Sequence, residues 1–483
     1  MTKEPSIIVW FRSDLRLHDN PALYAAIGRS KRIVPIYIHA PHEEGRWQPG
    51  SATRWWLHHS LSSLARDLKQ LGSRLILRTG NSIEELQQII SETHASSVFT
   101  TRCYTPAGIK RDKRLQRLLQ ETNVELTFYN GNLLIEPDSI RNKAGQPFKV
   151  FTPYWRTHQQ LFNLPALLPA PVQMPSVPKR LSSLALAKLE LLPGLSWASG
   201  LRQTWQIGEQ AALQLLRTHV TDVIADYPES HDRPDINGTS LLSPYLHFGE
   251  LSVRQVAHSL MQTRQKHARE GATALLRQLV WRDFAHHILW HFPATTDKPF
   301  DARYERFPWQ RRSNSRILNA WQQGLTGLPV VDAGMRQLWQ TGWMHNRVRM
   351  IVASLLSKNA GIHWQLGARW FWDTLVDADL AQNSMNWQWV AGCGVDAAPY
   401  FRIFNPVLQG KKFDPRGEYI RRWLPELAAL PTDYIHQPEL TPPLVQQGCG
   451  VIIGKDYPKP ILDLKASREQ ALQHYRQYIR SDG

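Results

Sequence analysis

The first part of the chain, to about residue 130, alternates short apolar runs with amphipathic stretches. The β-rich runs are SIIVWF (6–11), RIVPIYIH (32–39), RLILRTG (74–80), SSVFTTR (96–102) and VELTFYN (124–130), and their composition is typical of buried strands. The stretches between them, such as 52–72 with its final Gly72, have the apolar spacing of helices. This alternation predicts a parallel α/β sheet. No G-x-G-x-x-G follows the first strand, so a dinucleotide-binding fingerprint is absent.

The pattern weakens between residues 136 and 200. Five prolines fall between residues 165 and 178 with little periodicity around them, which indicates an extended linker. Beyond residue 200 apolar positions recur at helical spacing in 209–227, 250–270, 273–292 and 333–359. We therefore predict an α/β domain over 1–135, a Pro-rich linker over 136–200 and an all-α domain over 201–483.

The net charge indicates the kind of partner the protein binds. The 483 residues carry 57 Lys+Arg against 41 Asp+Glu, a formal charge of +16. Such an excess favours a polyanion, with nucleic acid first and an anionic membrane surface second, although a generally basic surface is the ordinary alternative. No window approaches the roughly 18 to 20 apolar residues of a membrane span. The partner predicted from charge is therefore a nucleic acid.

The cysteines bear on the compartment. Cys103, Cys393 and Cys449 are widely separated, which excludes a disulfide framework and the common cysteine-based metal sites. The amino-terminal MTKEPSIIVWF has one short apolar run that suits a strand and not a signal peptide. We expect a reducing, cytoplasmic setting.

The stretch DADLAQNSMNWQW (377–389) crowds carboxylates, amides and indoles together. It contains no metal-ligand pattern and no nucleophile beside an obvious base. Hydrolysis by a carboxylate pair is disfavoured, because Asp377 and Asp379 lie too close in sequence to face each other across a glycosidic bond. The stretch therefore indicates some other chemistry.

Two further segments suit a flat, anionic ligand. In RQLVWRDF (277–284), Gln278, Trp281 and Arg282 share one helical face. These residues suit edge contacts, stacking and an anion respectively, while a boundary helix with a half-buried Trp is the alternative. In NGTSLLSPYLHFGELS (237–252), the hydroxyls of Thr239, Ser240 and Ser243 precede a helix. They could cradle a phosphate or form an ordinary helix cap.

The segment GWMHNRVRMIVASLL (342–356) places arginines on an otherwise apolar helix. Asn346 and Met350 lie at i and i+4, flanked by Arg347 and Arg349. The arginines need anionic partners, which Asp377 and Asp379 or phosphates could provide.

Three tryptophans from separate segments, Trp309, Trp364 and Trp387, invite a redox interpretation. An indole can carry a transient one-electron hole. Core packing explains the same residues equally well, and the sequence alone does not separate the two interpretations.

Together these motifs resemble the DNA photolyase/cryptochrome flavoproteins, and most of all the bacterial cyclobutane-pyrimidine-dimer photolyases. The resemblance runs nearly end to end, from WFRSDLRLHDNPAL (10–23) through LVWRDF and the 377–406 block to KDYPKPILD (455–463). It implies an α/β domain, a connector and a helical domain that holds FAD. In this family an electron passes from light-excited, two-electron-reduced FAD (FADH−) to a pyrimidine dimer flipped out of double-stranded DNA. A monomer with no membrane association is expected.

The resemblance also implies roles for individual residues. The FAD site would comprise Tyr227, Thr239, Ser240, Leu241, Leu242, Ser243, Arg349, Asp377, Ala378, Asp379 and Asn383. Asp377 would pair with Arg349, and Asn383 would lie beside flavin N5. Photoreduction would run through Trp387, Trp364 and Trp309 in that order. The dimer pocket and its DNA-facing rim would comprise Gln278, Trp281, Arg282, Asn346, Arg347, Met350, Trp389 and Arg402.

The chain departs from the family pattern at several positions. Gln278 stands where dimer photolyases usually have Glu, so repair is expected to persist with reduced efficiency. His231 replaces a basic phosphate contact. Ala107 and Gly108 replace an Asn-Glu pair that holds a folate antenna, which leaves a methenyltetrahydrofolate or deazaflavin antenna open. The alternative function is a cryptochrome-type blue-light receptor with little repair. A (6-4) photolyase is disfavoured, because that group has histidines where Asn346 and Met350 stand.

Overall fold

The computed structural model describes residues 5–193, 197–263, 266–312, 315–397 and 399–480. The first domain is a parallel sheet of five strands in the order β3-β2-β1-β4-β5. The strands are β1 (Ser6–Phe11), β2 (Ile33–His39), β3 (Ile76–Thr79), β4 (Ala95–Thr101) and β5 (Glu125–Tyr129). All five predicted runs are strands, and the predicted parallel α/β sheet is confirmed.

Helices cover both faces of this sheet. They are α1 (Pro21–Arg29), α2 (Ser51–Gln70), α3 (Ser82–Thr93) and α4 (Pro106–Glu121). Along β1, Ile7 and Val9 belong to one apolar cluster whereas Ile8 and Trp10 belong to another. Successive strand residues point to opposite faces, so β1 is buried on both sides, as is typical of a parallel sheet.

The predicted linker is not wholly extended. It contains helix α5 (Phe151–Leu161), whose Phe151, Tyr154 and His158 are buried. These residues are spaced at i, i+3 and i+7 and pack on one face. The prediction of an extended segment was wrong for these eleven residues, because the prolines that suggested it lie after the helix.

The second domain is helical, as predicted. Its helices are α6 (Ala198–Thr204), α7 (Glu209–Thr218), α8 (Tyr227–Ser230), α9 (Ser243–Phe248), α10 (Val253–Met261), α11 (Lys266–His291), α12 (Arg316–Gln323), α13 (Pro329–Thr341), α14 (Asn346–Ser354), α15 (Trp364–Thr374), α16 (Leu380–Ala391), α17 (Pro406–Phe413), α18 (Glu418–Trp423), α19 (Pro443–Cys449) and α20 (Leu464–Tyr475). No helix of the described ranges combines the length and apolar character needed to cross a bilayer.

Several predicted long helices are broken. The 333–359 segment divides into α13 and α14 at Gly342, which has φ 67°. A Cβ there would lie 2.6 Å from Leu201 and 2.7 Å from Val376, so both the conformation and the space favour glycine. Similarly, α7 ends at Thr218 and a π-helical turn follows it. Residues of both α13 and α14 belong to one apolar cluster, so apolar positions recur on either side of the break at Gly342.

Helix α16 lies at the centre of the second domain. Helices α11, α14 and α15 pack against it, and Asp379 caps its amino end by accepting a hydrogen bond from the backbone of Gln382 at 2.9 Å. This arrangement brings the sequence segments around 278, 346 and 377–389 together.

Candidate functional site

A cavity of about 330 Å³ opens between α11, α14 and α16. Half of the predicted site residues line it: Gln278, Trp281, Asn346, Arg349, Met350, Asp377, Ala378, Asp379, Asn383, Trp387 and Trp389. These residues come from three segments that are far apart in sequence. Gln278 and Asn346 are exposed at the mouth, whereas Asn383 and Trp387 are buried. The cavity therefore runs from an open rim to a closed base.

The pairing predicted for Asp377 is present. Arg349 Nη2 donates to its two carboxylate oxygens at 3.1 and 2.8 Å, and Ser243 Oγ donates to Oδ2 at 2.7 Å. Arg349 Nε also donates to the carbonyl of Met344 at 2.8 Å. The buried carboxylate is thus neutralised and fixed in orientation, as a charge in a cavity wall must be.

Asp379 has histidine partners that the sequence did not suggest. His286 Nε2 lies 3.4 Å and His247 Nδ1 lies 4.0 Å from Asp379 Oδ2. Burial alone would raise the pKa of this carboxyl, but His286, His247 and Arg282 outweigh it and lower the pKa below its usual value. Asp379 therefore stays ionised at the edge of the cavity.

Asn383 lines the cavity. Its Nδ2 donates to the carbonyl of Ala368 at 3.0 Å, which uses one of the two N–H donors of the amide. The carbonyl oxygen is left as an acceptor that can face a ligand.

The cavity has an aromatic wall with a rigid support. The ring of Phe151 on α5 stacks on Trp281 with centroids 3.6 Å apart and planes 8° apart. One face of the indole is therefore covered by protein, and a flat ligand has only the other face to stack on. Trp389 is half-buried on the same cavity.

Two of the arginines predicted to bind DNA have partners within the protein. Arg282 donates to the backbone carbonyls of Asn132 and Leu246, away from the main cavity. Gln278, Trp281 and Arg282 do lie at i, i+3 and i+4 of one helix, α11, but the long side chain of Arg282 turns toward Asn132 of the first domain. Its contact with a phosphate stays a prediction. Arg347 is tied to the carboxylate of Asp232.

The remaining predicted contacts do not line the main cavity. Arg402 is exposed. The proposed phosphate cradle from Thr239 to Leu242 does not line the main cavity. Leu241 there has φ 53°, a conformation that is rare for a residue with a side chain. Ser243 is connected to the cavity only by its hydrogen bond to Asp377, which lines it. Tyr227 is buried and stacks on His231 at 5.0 Å. The roles of these residues stay predictions.

The three tryptophans of the predicted electron path share one apolar cluster. Trp387 packs edge-on against Phe371 with centroids 5.1 Å apart. Between the other two lies His363, whose ring centroid is 5.7 Å from Trp364 and 5.2 Å from Trp309. All three indoles are nearly inaccessible to solvent. Their proximity agrees with a relay, and their burial agrees equally with a core.

Sequence reasoning missed the residues that support the predicted ones. His247 lies within the segment 237–252 and His286 directly after the segment 277–284, but neither was given a role, and Phe151 lies in the predicted linker. The one usable signal was the spacing of His286 from Arg282 at i+4 on a helix.

A second crevice of about 220 Å³ lies beyond the carboxyl ends of β1 and β2, against the helical domain. Its lining includes Trp10, His39, Trp47, Arg111 and His247. In open parallel sheets such crevices beside the first strand are the usual ligand position. Ala378 lines both this crevice and the main cavity, so a single residue separates them at that point.

Comparison with known proteins agrees with this architecture. Residues 7–176 match the family profile "DNA photolyase", and residues 275–477 match "FAD binding domain of DNA photolyase". A deoxyribodipyrimidine photo-lyase of Agrobacterium fabrum is 44% identical, with 98% of each chain covered. Cryptochrome-2 of Arabidopsis thaliana is 39% identical over 97% of this chain and 78% of its own. The crystal structure of a class III photolyase from Agrobacterium tumefaciens superposes with a TM-score of 0.95 at 42% identity, with 99% of each chain covered.

Proposed function

The chain belongs to the DNA photolyase family, and on this premise we propose that it repairs cyclobutane pyrimidine dimers in DNA by light-driven electron transfer from reduced FAD. One observation carries the proposal. A single cavity joins a fixed polar base, formed by Asp377 and Asn383, to a mouth with the stacking faces of Trp281 and Trp389. A flavin at the base and a flipped-out dimer at the mouth would be neighbours there.

The residues present suit FAD. The Asn383 oxygen and the carboxylates of Asp377 and Asp379 supply acceptors along one wall, and the apolar side chains of Phe371 and Trp387 lie behind them. We assign the diphosphate to the Thr239–Ser243 segment, which reaches the cavity through Ser243. Bound FAD in its two-electron-reduced form would supply the photoexcited electron that opens the cyclobutane ring.

The protein contributes orientation and electrostatics. Asn383 offers a neutral amide where a second free carboxylate would oppose a reduced, anionic flavin. Arg349 keeps Asp377 neutralised. Trp281, held from behind by Phe151, can stack on the dimer without moving, so little entropy is lost on binding. Gln278 at the mouth can both donate and accept hydrogen bonds at the pyrimidine edge.

The tryptophans have a second, separate role. We assign to Trp387, Trp364 and Trp309 the transfer of an electron toward the cofactor when it has become oxidised. Their position in one cluster that begins at the cavity wall supports this role.

The crevice beside β1 and β2 is the place we propose for an antenna chromophore. It is lined by Trp10 and Trp47 and by the guanidinium of Arg111, which suit a flat, anionic molecule such as a methenyltetrahydrofolate or a deazaflavin. At Gly108 a Cβ would lie 2.2 Å from Cys103 Sγ, so the helix start near Ala107 is packed tightly there.

A cryptochrome-type receptor is the second candidate, and Gln278 at the cavity mouth favours it. A receptor of this kind would bind FAD and respond to blue light but would leave dimers unrepaired. The repair assay therefore separates the two functions.

The test uses purified protein, FAD reduced chemically under anaerobic conditions, and a duplex with one thymine dimer. Illumination with near-UV or blue light should restore the thymines, as measured by chromatography of the oligonucleotide. The dark sample and an undamaged duplex serve as controls. Protein that binds FAD but restores no thymine would reject repair and favour the receptor, and protein that takes up no FAD would reject both.

Two properties of the whole molecule complete the proposal. The described cysteines are all unpaired, which suits a reducing compartment, and we propose a cytoplasmic location. We propose that the protein acts as a monomer on double-stranded DNA, which sedimentation of the free protein and of its complex would check.

A further inference from the structure

The wall between the main cavity and the first domain contains a compact charged group. Asp379 lines the main cavity and also a smaller cavity of about 110 Å³. His247, His286 and Arg282 line this smaller cavity. The carboxylate of Asp379 therefore lies between a charge in the main cavity and the imidazoles of His247 and His286. None of the roles described above uses these histidines.

The hydrogen bonds distinguish the two histidines. His286 Nδ1 lies 3.0 Å from the carbonyl oxygen of Arg282, and because a carbonyl only accepts, Nδ1 must carry a proton. Its Nε2 faces the carboxylate of Asp379 at 3.4 Å, where an unprotonated nitrogen would set a lone pair against an anion. His286 is therefore the closer and fixed partner of Asp379.

His247 lies farther from the same carboxylate than His286 does. Its Nδ1 lies 4.0 Å from Asp379 Oδ2, and that carboxylate is already paired with His286. Burial lowers the pKa of His247, and it outweighs the negative charges of Asp379 and Asp377, which raise that pKa. At rest near neutral pH, His247 is the uncharged imidazole of the cluster.

The surroundings of His247 contain charges of both signs. Asp377 and Asp379 favour its protonation, and Arg282 and His286 oppose it. Across the crevice and the small cavity lie further groups of the first domain: Arg12, His39, Glu44, Arg102, Tyr104 and Arg111. His247 lines both of these spaces, so solvent in the crevice gives it a source of protons that does not pass through the main cavity.

We propose that His247 takes up a proton when the flavin in the main cavity is reduced. This rests on the binding of FAD in the proposed function, and not on repair. Full reduction adds two electrons and one proton to FAD and leaves one negative charge. A second proton, drawn from solvent through the crevice, binds the free ring nitrogen of His247 and offsets that charge across Asp379. His286 is a positioning residue that keeps Asp379 ionised.

The experiment measures the midpoint potential of the FAD-loaded protein against pH. Each additional proton taken up per two electrons steepens the dependence by about 30 mV per pH unit. The native protein should show this extra slope between the pKa values of His247 in the oxidised and reduced states. His247→Gln should lose the extra slope, and His286→Gln should keep it at a lower potential. His267→Gln, at an exposed position on the same helix α11, should match the native protein.

The outcomes decide the proposal. A native protein with the slope of one proton per two electrons, or a His247→Gln variant with the native slope, overturns it. If the variants do not retain FAD, the imidazole resonance of His247 in native protein, followed by NMR in both redox states, replaces them. Its titration must move to higher pH on reduction, and an unchanged titration overturns the proposal. Neither measurement needs DNA or light, so a protein that repairs no dimer but shows the shift rejects only the repair function.

Discussion

The two ends of helix α16 are built in opposite ways. At its amino end, three buried polar side chains have specific partners: Asp377 has Arg349 and Ser243, Asp379 has His286, and Asn383 has a backbone carbonyl. Toward its carboxyl end, Trp387 packs among apolar rings. Buried charges are costly to a fold, so the polar end indicates a function by its presence alone. A buried indole stabilises any core, so the aromatic end does not.

The largest expected effect is at the polar end. Asp377→Asn leaves the guanidinium of Arg349 without its anion, and breaking a buried pair costs about 3 kcal/mol or more. We expect loss of most bound FAD, read from the flavin-to-protein absorbance ratio, together with a lower unfolding free energy in urea. Asp373→Asn, which alters an exposed carboxylate that accepts from Ser51, should keep the native flavin content. Retention of FAD by the Asp377 variant would show that the pair is not part of its site.

The aromatic end is tested by photoreduction. A loss of stability is expected there whether Trp387 relays electrons or only packs in the core. Trp387→Phe should abolish photoreduction of oxidised flavin while chemically reduced protein still repairs dimers. Its stability cost, about 1–3 kcal/mol from the lost volume, should be similar in Trp321→Phe, a buried neighbour of the same cluster. Flash-photolysis absorbance measures the first effect. If Trp321→Phe lost photoreduction equally, simple packing would explain Trp387.

A smaller effect is expected at the cavity mouth. Gln278→Glu should raise the repair yield, by up to about tenfold if the acid strengthens one hydrogen bond by about 1.5 kcal/mol. The variant should also acquire a pH dependence that the amide cannot have. Gln278→Met, of similar shape but without hydrogen bonds, should fall below the native yield. An unchanged or lower yield in the Glu variant would show that the amide is no handicap.

The smallest effects concern the charged rim. Binding to lesion-containing duplex should weaken steeply with salt, and Arg402→Ala should reduce the slope of log K against log salt by about one. Arg282→Ala should leave the slope unchanged, since its guanidinium binds backbone carbonyls. Fluorescence anisotropy at several salt concentrations measures both. Equal losses in the two variants would place Arg282 on the DNA after all.

The features that could be predicted were those that leave a pattern in the sequence. The five strands, their parallel sheet and the helical second domain followed from periodicity, and the pair of Asp377 with Arg349 followed from a resemblance that spans the chain. Helix α5 was missed because a Pro-rich neighbourhood masked its short apolar face. The direction of Arg282 was missed because side chains of that length can turn either way from the same helical position.

By itself the sequence determined the strands and helices and a basic net charge that favours a polyanion, and its resemblance to a known family predicted which residues would meet a flavin, because residue spacing is local and motif order is linear. Only the tertiary structure decided that Phe151 supports Trp281, that His286 holds Asp379 ionised, and that His247 faces two cavities. Each of these contacts joins segments far apart in the chain. The physical reason is that burial and charge at one position depend on neighbours that no local pattern names.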